Sequence, residues 1–325
     1  MRRTPLPPQI LRLARAQAGL VSTRQCDAAG IGPTVRRGLV ARREWTRPGR
    51  GVYDTTPGPR SVDDGRRAAA WTALLAFGPD AVAVGACALV MHRVAGLPSR
   101  ITPEVAMPGA DRRRTRDQIV CRHFDTDLRT VLVAGRRVVA LDLALAQAVP
   151  ELSRAHGLAV LDDVLHRGLL DRSGLDRVHD LARGRRGVAS RHELWAFADA
   201  RSESPLESFA RLDCIDAGVP PDVLQLPVLD LAGRVRARGD MAWRLPHGRW
   251  LVAEVDGREV HGLPDAVYAD RSRQNALVGT GRIDVLRFTS HDLGRIGTTV
   301  RGVLARARTG DPVPPIRSSW WFDGP

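Results

Sequence analysis

Lysine is missing from this chain altogether: all 49 basic residues are Arg, so no site can draw on a lysine amine. Long hydrophobic runs are missing too. The most apolar stretch, Ala68 to Met91, is interrupted by Gly78, Pro79 and Asp80, short of the roughly 18 uninterrupted apolar residues a membrane helix needs. Arg12 and Arg15 interrupt the apolar region nearest the N-terminus, so no secretory leader is expected there. The expectation is a cytoplasmic protein with no membrane partner. Cysteine is sparse, and Cys26, Cys87, Cys121 and Cys214 show no CxxC or metal-like spacing. They are expected as buried small apolar groups, with neither a disulfide nor zinc.

What is present is enough to build real cores. At 325 residues, with 43% apolar and 26% charged side chains, the chain has the composition of a globular protein of two or three domains. Its net charge of +13 is uneven, because residues 1–60 carry twelve Arg against Asp27, Glu44 and Asp54, a local net charge of +9. A basic end of this kind suits a polyanion, whose condensed counterions are released on binding.

Within those residues, Gln9 to Ala18 has helical apolar spacing and ends at Gly19, and Ser22 with Gln25 forms a capping box for a second short helix. Gly30-Ile31-Gly32 is a turn. Pro33 starts a third helix that is expected to turn Val35, Leu39 and Val40 inward and to leave Thr34, Arg36 and Arg37 free. Trp45 to Tyr53 closes the region as a basic hairpin with Arg47 and Arg50 near its tip. This order describes a winged helix-turn-helix, in which one helix can enter the major groove and the hairpin can touch phosphates. Thr34, Arg36, Arg37, Arg47 and Arg50 are therefore the expected DNA contacts. Arg37 is the one able to reach a guanine.

Residues 61–200 read as a helix-rich α+β region. Helices are expected at Asp63 to Phe77, Gly85 to Leu97, Ala140 to Ala148, Ala155 to His166, Ser173 to Leu181 and Ser190 to Phe197, with strands at Ile101 to Met107 and Ile119 to Phe124. Its histidines, His92, His123, His156, His166, His179 and His192, look isolated. Arg183-Gly-Arg-Arg-Gly187 reads as a turn.

From Ser202 the pattern changes. Ser204-Pro-Leu-Glu207 opens a helix whose expected buried stripe is Leu206, Phe209, Leu212 and Ile215. Strands follow at Val223 to Leu229, Val235 to Trp243 and Trp250 to Asp256, then a helix at Pro264 to Val278 and a strand at Ile283 to Thr289. Pro246-His247-Gly248 joins the second and third strands as a hairpin. Symmetry about His247 sets Asp240 opposite Glu254, with Asp256 on the same face. Opposed carboxylates repel, so the arrangement calls for a cation, with Arg partners or solvent exposure as the alternative. Oxygen ligands favour Mg²⁺, with Mn²⁺ as a substitute.

These residues resemble a family. Glu203-Ser-Pro-Leu-Glu207, Gly239-Asp240-Met-Ala-Trp243, Glu254-Val-Asp-Gly257, His261, Asp270-Arg-Ser-Arg-Gln-Asn275 and Val285-Leu-Arg-Phe-Thr289 are similar to a family related to very-short-patch repair endonucleases, within the PD-(D/E)XK superfamily. Residues 8–60, continuing into Gly85 to Leu97, resemble the winged-helix domain of abortive-infection type IV antitoxins. The first resemblance implies a restriction-endonuclease-like α/β/α core with a mixed sheet, metal ligands Asp240 and Glu254, and Glu207 as an acid orienting metal or water. The superfamily's Lys position holds Asp256, which the reading keeps with the metal, and His261 stands in as base or water-positioner. Arg271 and Asn275 are expected on phosphate. The whole is thus expected to be a multi-domain α/β protein: 1–60 winged helix, 61–200 middle region, 201–300 nuclease-like domain, 301–325 tail. The function expected is a Mg²⁺-dependent endodeoxyribonuclease acting on DNA. A non-catalytic regulator with a toxin-like or homo-oligomeric partner is the alternative that the antitoxin resemblance raises.

Overall fold

A computed structural model describes residues 6–109, 114–124, 128–229, 232–256 and 281–309. It is a mixed α/β protein with eleven α-helices and three sheets among the described residues. The chain divides into two compact units, Met1–Pro205 and Leu206–Pro325, so the first holds both the basic end and the middle region. No helix among the described residues is long and apolar enough to cross a membrane.

The first unit begins with α1 (Pro8–Ala16), β1 (Leu20–Ser22), α2 (Thr23–Ala28), α3 (Pro33–Ala41), β2 (Thr46–Gly49) and β3 (Val52–Asp54). The three strands form an antiparallel sheet in the order β1-β3-β2. The Ser22–Gln25 capping box closes in both directions, and Pro33 occupies the first turn of α3. A small core of Ile10, Ala14, Val21, Cys26, Ile31, Leu39 and Trp45 holds these elements.

There follow α4 (Val62–Phe77), β4 (Val82–Ala83), α5 (Gly85–Met91), β5 (Glu104–Ala106), β6 (Val120–Arg122), β7 (Thr130–Val133) and β8 (Arg136–Val139), then α6 (Leu141–Ala148), α7 (Arg154–His166), α8 (Arg172–Ala182) and α9 (His192–Phe197). Their five strands lie in the order β6-β5-β4-β8-β7. The helix expected from Gly85 to Leu97 stops at Met91, because Arg93 turns to φ 60° and Val94 N–H bonds back to Leu89 O at 2.9 Å. The β7–β8 hairpin had no sequence signal. Its tip, Ala134-Gly135, takes positive φ at both residues without the usual Asn-Gly or Asp-Gly pair.

The second unit contains α10 (Pro205–Asp216), β9 (Val223–Leu229), β10 (Val235–Leu245), β11 (Arg249–Asp256), β12 (Ile283–Thr289) and α11 (Ile296–Thr309). Its sheet runs β12-β11-β10-β9. Only β12 lies parallel to its neighbour, which makes the sheet mixed. Ala210 and Cys214 of α10 share one core with Ile296, Val300 and Leu304 of α11 and with Met241, Trp243, Leu251, Ala253, Val255 and Phe288 of the sheet. The stripe expected on α10 is thereby shifted: Leu212 is buried, while Leu206, Phe209 and Ile215 are half-buried beside the smaller Ala210 and Cys214. Gly297 of α11 lies close against the Asp213 carbonyl and Ala217, and Asp213 Oδ2 accepts the Ile296 N–H at 2.9 Å. Residues 301–309, expected in a tail, are the body of α11. The helix expected at Pro264 to Val278 lies outside the described residues.

Candidate functional site

One transverse row gathers the polar groups of the second sheet. Leu224 faces Met241 and Leu226 faces Gly239, which sets Gln225 beside Asp240. Strands β10 and β11 pair from Leu245 and Arg249 up to Met241 and Ala253. That pairing ends one residue short of Asp240 and Glu254, so the opposition expected from symmetry about His247 falls just past the paired ladder. Glu254 pairs in turn with Arg287 on β12. Gln225, Asp240, Glu254 and Arg287 therefore lie at neighbouring levels of four adjacent strands, a loose row.

Hydrogen bonds fix its members. Asp240 Oδ2 accepts the Val255 N–H at 2.8 Å, so a carboxylate takes over where the paired ladder ends. Gln225 Nε2 donates to Glu207 Oε2 at 3.0 Å, tying the first turn of α10 to the row. Gln225 holds φ at 54° inside a strand; a non-glycine residue held there costs on the order of 1–3 kcal/mol, and such strain concentrates at functional sites. Arg287 Nη2 lies 3.1 Å from Glu254 Oε2. Glu254 is only 3% exposed, whereas Asp240 and Glu207 are half-buried. The alternative relief for opposed acids, an Arg partner, is thus realised at Glu254.

Two expectations need correction here. Asp256 ends β11 with its side chain exposed, opposite Thr289. Among the described residues no three His, Cys, Asp or Glu side chains gather in a group able to hold a metal ion. The row offers two carboxylates rather than three. That set still suits Mg²⁺, which binds through one or two carboxylates while keeping its waters. His261, Arg271 and Asn275 lie outside the described residues. Sequence reading missed Gln225 and Arg287, although a lone polar residue in the apolar run Val223 to Leu229, and a charged one in Ile283 to Thr289, were the available signals.

At the basic end, Thr34, Arg37, Arg47 and Arg50 are exposed, and Arg37 Nη2 donates to Thr34 Oγ1 at 3.4 Å. Arg36 is not free. It is 4% exposed, ion-paired with Asp27 and bonded to Ile31 O at 2.6 Å, while Val35, expected inward, is 46% exposed. The inward face of α3 is rotated by one residue, so Arg36 fixes the turn between α2 and α3 rather than offering a phosphate contact. Arg36→Ala is accordingly expected to destabilise the protein by about 2 kcal/mol through the lost charged hydrogen bonds, read as a lower melting temperature.

The histidines also differ from expectation in one place. His92 and His156 bond to the carbonyls of Val139 and Gly96 at 2.8 and 2.7 Å, but His179 and His192 meet at 3.0 Å. Burial, then the neighbouring His192 and Arg183, holds His179 below the ordinary imidazole range.

No family model matches the chain. It is 34% identical over 204 residues, 62% of its own length and 73% of the relative's, to an uncharacterized protein of Mycobacterium tuberculosis strain CDC 1551. The same identity and coverage relate it to an uncharacterized protein of M. tuberculosis strain H37Rv.

Proposed function

The chain belongs to the family of these uncharacterized mycobacterial proteins, and for it we propose a divalent-metal-dependent endodeoxyribonuclease activity, carried by the second unit and brought to DNA by a winged helix-turn-helix in residues 1–60. The observation that supports it is that Asp240 and Glu254 lie on adjacent strands where the β10–β11 ladder ends, with the Asp240 carboxylate accepting the N–H of Val255, the residue next to Glu254. Two neighbouring carboxylates without a cation between them repel, and oxygen-only ligation selects a hard divalent ion.

In this reading Asp240 and Glu254 hold Mg²⁺ or Mn²⁺. When bound, the ion would supply Lewis acidity and activation of water toward a phosphodiester. The Val255 N–H fixes the orientation of Asp240, and Gln225 carries Glu207 to the row from α10. His261 is carried over from the resemblance as the base or water-positioner, with Arg271 and Asn275 as phosphate contacts. Thr34, Arg37, Arg47 and Arg50 suit backbone phosphates by their exposure and by the +9 charge of their region.

A DNA-binding regulator with a silent nuclease fold is the second reading, favoured by Asp256 at the Lys position and by the Arg287–Glu254 ion pair. Supercoiled plasmid separates the two. The full chain is expected to convert it to nicked circles with Mg²⁺ or Mn²⁺ and to stop in EDTA. Retarded but uncut plasmid under every metal condition would instead support the regulator.

A further inference from the structure

Glu254 poses a problem that the proposed metal solves only when it is bound. Its side chain is 4% exposed, and a carboxylate taken out of water without compensation is strongly unfavourable. In the protein alone, Arg287 supplies compensation. The two residues are partners in the parallel β11–β12 register, and Arg287 Nη2 stands 3.1 Å from Oε2. Arg287 itself is 34% exposed, so its head lies at the boundary between the sheet and solvent. A guanidinium keeps its charge at every working pH, and this chain has no Lys to share the task.

We propose that Arg287 is an internal counter-ion that neutralises Glu254 in the absence of a divalent ion and opposes the ion when it arrives, so that it sets the site's affinity. The inference rests on the reading of Asp240 and Glu254 as the ion-holding pair. Its physical content is competition. A single positive charge fixed to the neighbouring strand and a doubly charged ion seek the same carboxylate, and whichever is absent makes the other's hold stronger. Arg287 is a positioning residue in this scheme. It holds Glu254 in place, and it holds affinity down so that an ion is bound only when its concentration is sufficient.

Mn²⁺ alone is the probe, titrated calorimetrically into the full chain as wild type, Arg287→Met and Arg287→Lys, with thermal melts in EDTA and in Mn²⁺. Arg287→Met keeps the length of the apolar stem and removes the charge. It is expected to bind Mn²⁺ about tenfold more tightly than wild type, the order of effect of removing one partly solvated charge near the ion. It is also expected to melt lower in EDTA and to gain more from Mn²⁺ than wild type does. Arg287→Lys, which keeps the charge, is expected to stay close to wild type in affinity. If the Met variant is unfolded in EDTA but folds on addition of Mn²⁺, the counter-ion role is upheld. Failure to fold in both conditions overturns it, since Arg287 would then be needed for packing alone. Equal Mn²⁺ affinity in all three proteins overturns the counter-ion role and leaves the metal reading intact. Absence of Mn²⁺ binding by any of them overturns both.

Discussion

Asp240→Asn is expected to lower divalent-dependent plasmid nicking by on the order of a thousandfold, the consequence of losing several kcal/mol of metal-derived stabilisation, while the protein melts at or slightly above the wild-type temperature. The two halves of this expectation come from different atoms of one side chain. Asp240 Oδ2 anchors the end of the β10–β11 ladder through the Val255 N–H, and an amide oxygen can still accept that bond. The charge is what the substitution removes. With it goes the repulsion toward Glu254 on the adjacent strand, so stability is kept while the site is disarmed. A nicking time course paired with a melt of the same preparation checks both. A fall in activity that merely tracks a fall in melting temperature would mean that Asp240 acts through the fold.

Gly239→Val is expected to do the opposite, unfolding the second unit with no change in its ligands. A Cβ placed on Gly239 would clash with Val252 Cγ1, and Val252 is fully buried in β11. A β-branched neighbour has little rotamer freedom to escape. Overpacking of this kind costs about 1–3 kcal/mol for an added methyl and more for a branched side chain, so a loss of roughly 10 °C or more in melting temperature is expected. Gly239→Ala should fall between wild type and Val.

Much of the second unit was legible in the residues. The runs Val223 to Leu229 and Ile283 to Thr289 match their strands to the residue, and the His247 hairpin has the register that its symmetry implies. Apolar periodicity and a Pro-His-Gly turn carry that information locally. What remained hidden depends on contacts between distant strands. Arg287 meets Glu254 only because β12 is parallel to β11, and no local pattern states which strand will be the neighbour. Gln225 reaches Glu207 because its backbone adopts a left-handed conformation, which a strand-like sequence does not announce. Arg36 was misread for a simpler reason. Charge suggested solvent, but Asp27 and the Ile31 carbonyl provide a buried place for a guanidinium on the inward face of α3. The His179–His192 contact likewise joins α8 to α9 across thirteen residues of chain.

The claim on which the rest depends is that Asp240 and Glu254 share a divalent ion. Counting Mn²⁺ bound to the full chain by electron paramagnetic resonance, in wild type and in Asp240→Asn side by side, tests it most directly. One bound ion per wild-type chain at saturating Mn²⁺ and none in the variant is the result expected. The same number of ions held equally well by both proteins, or none held by either, would contradict it.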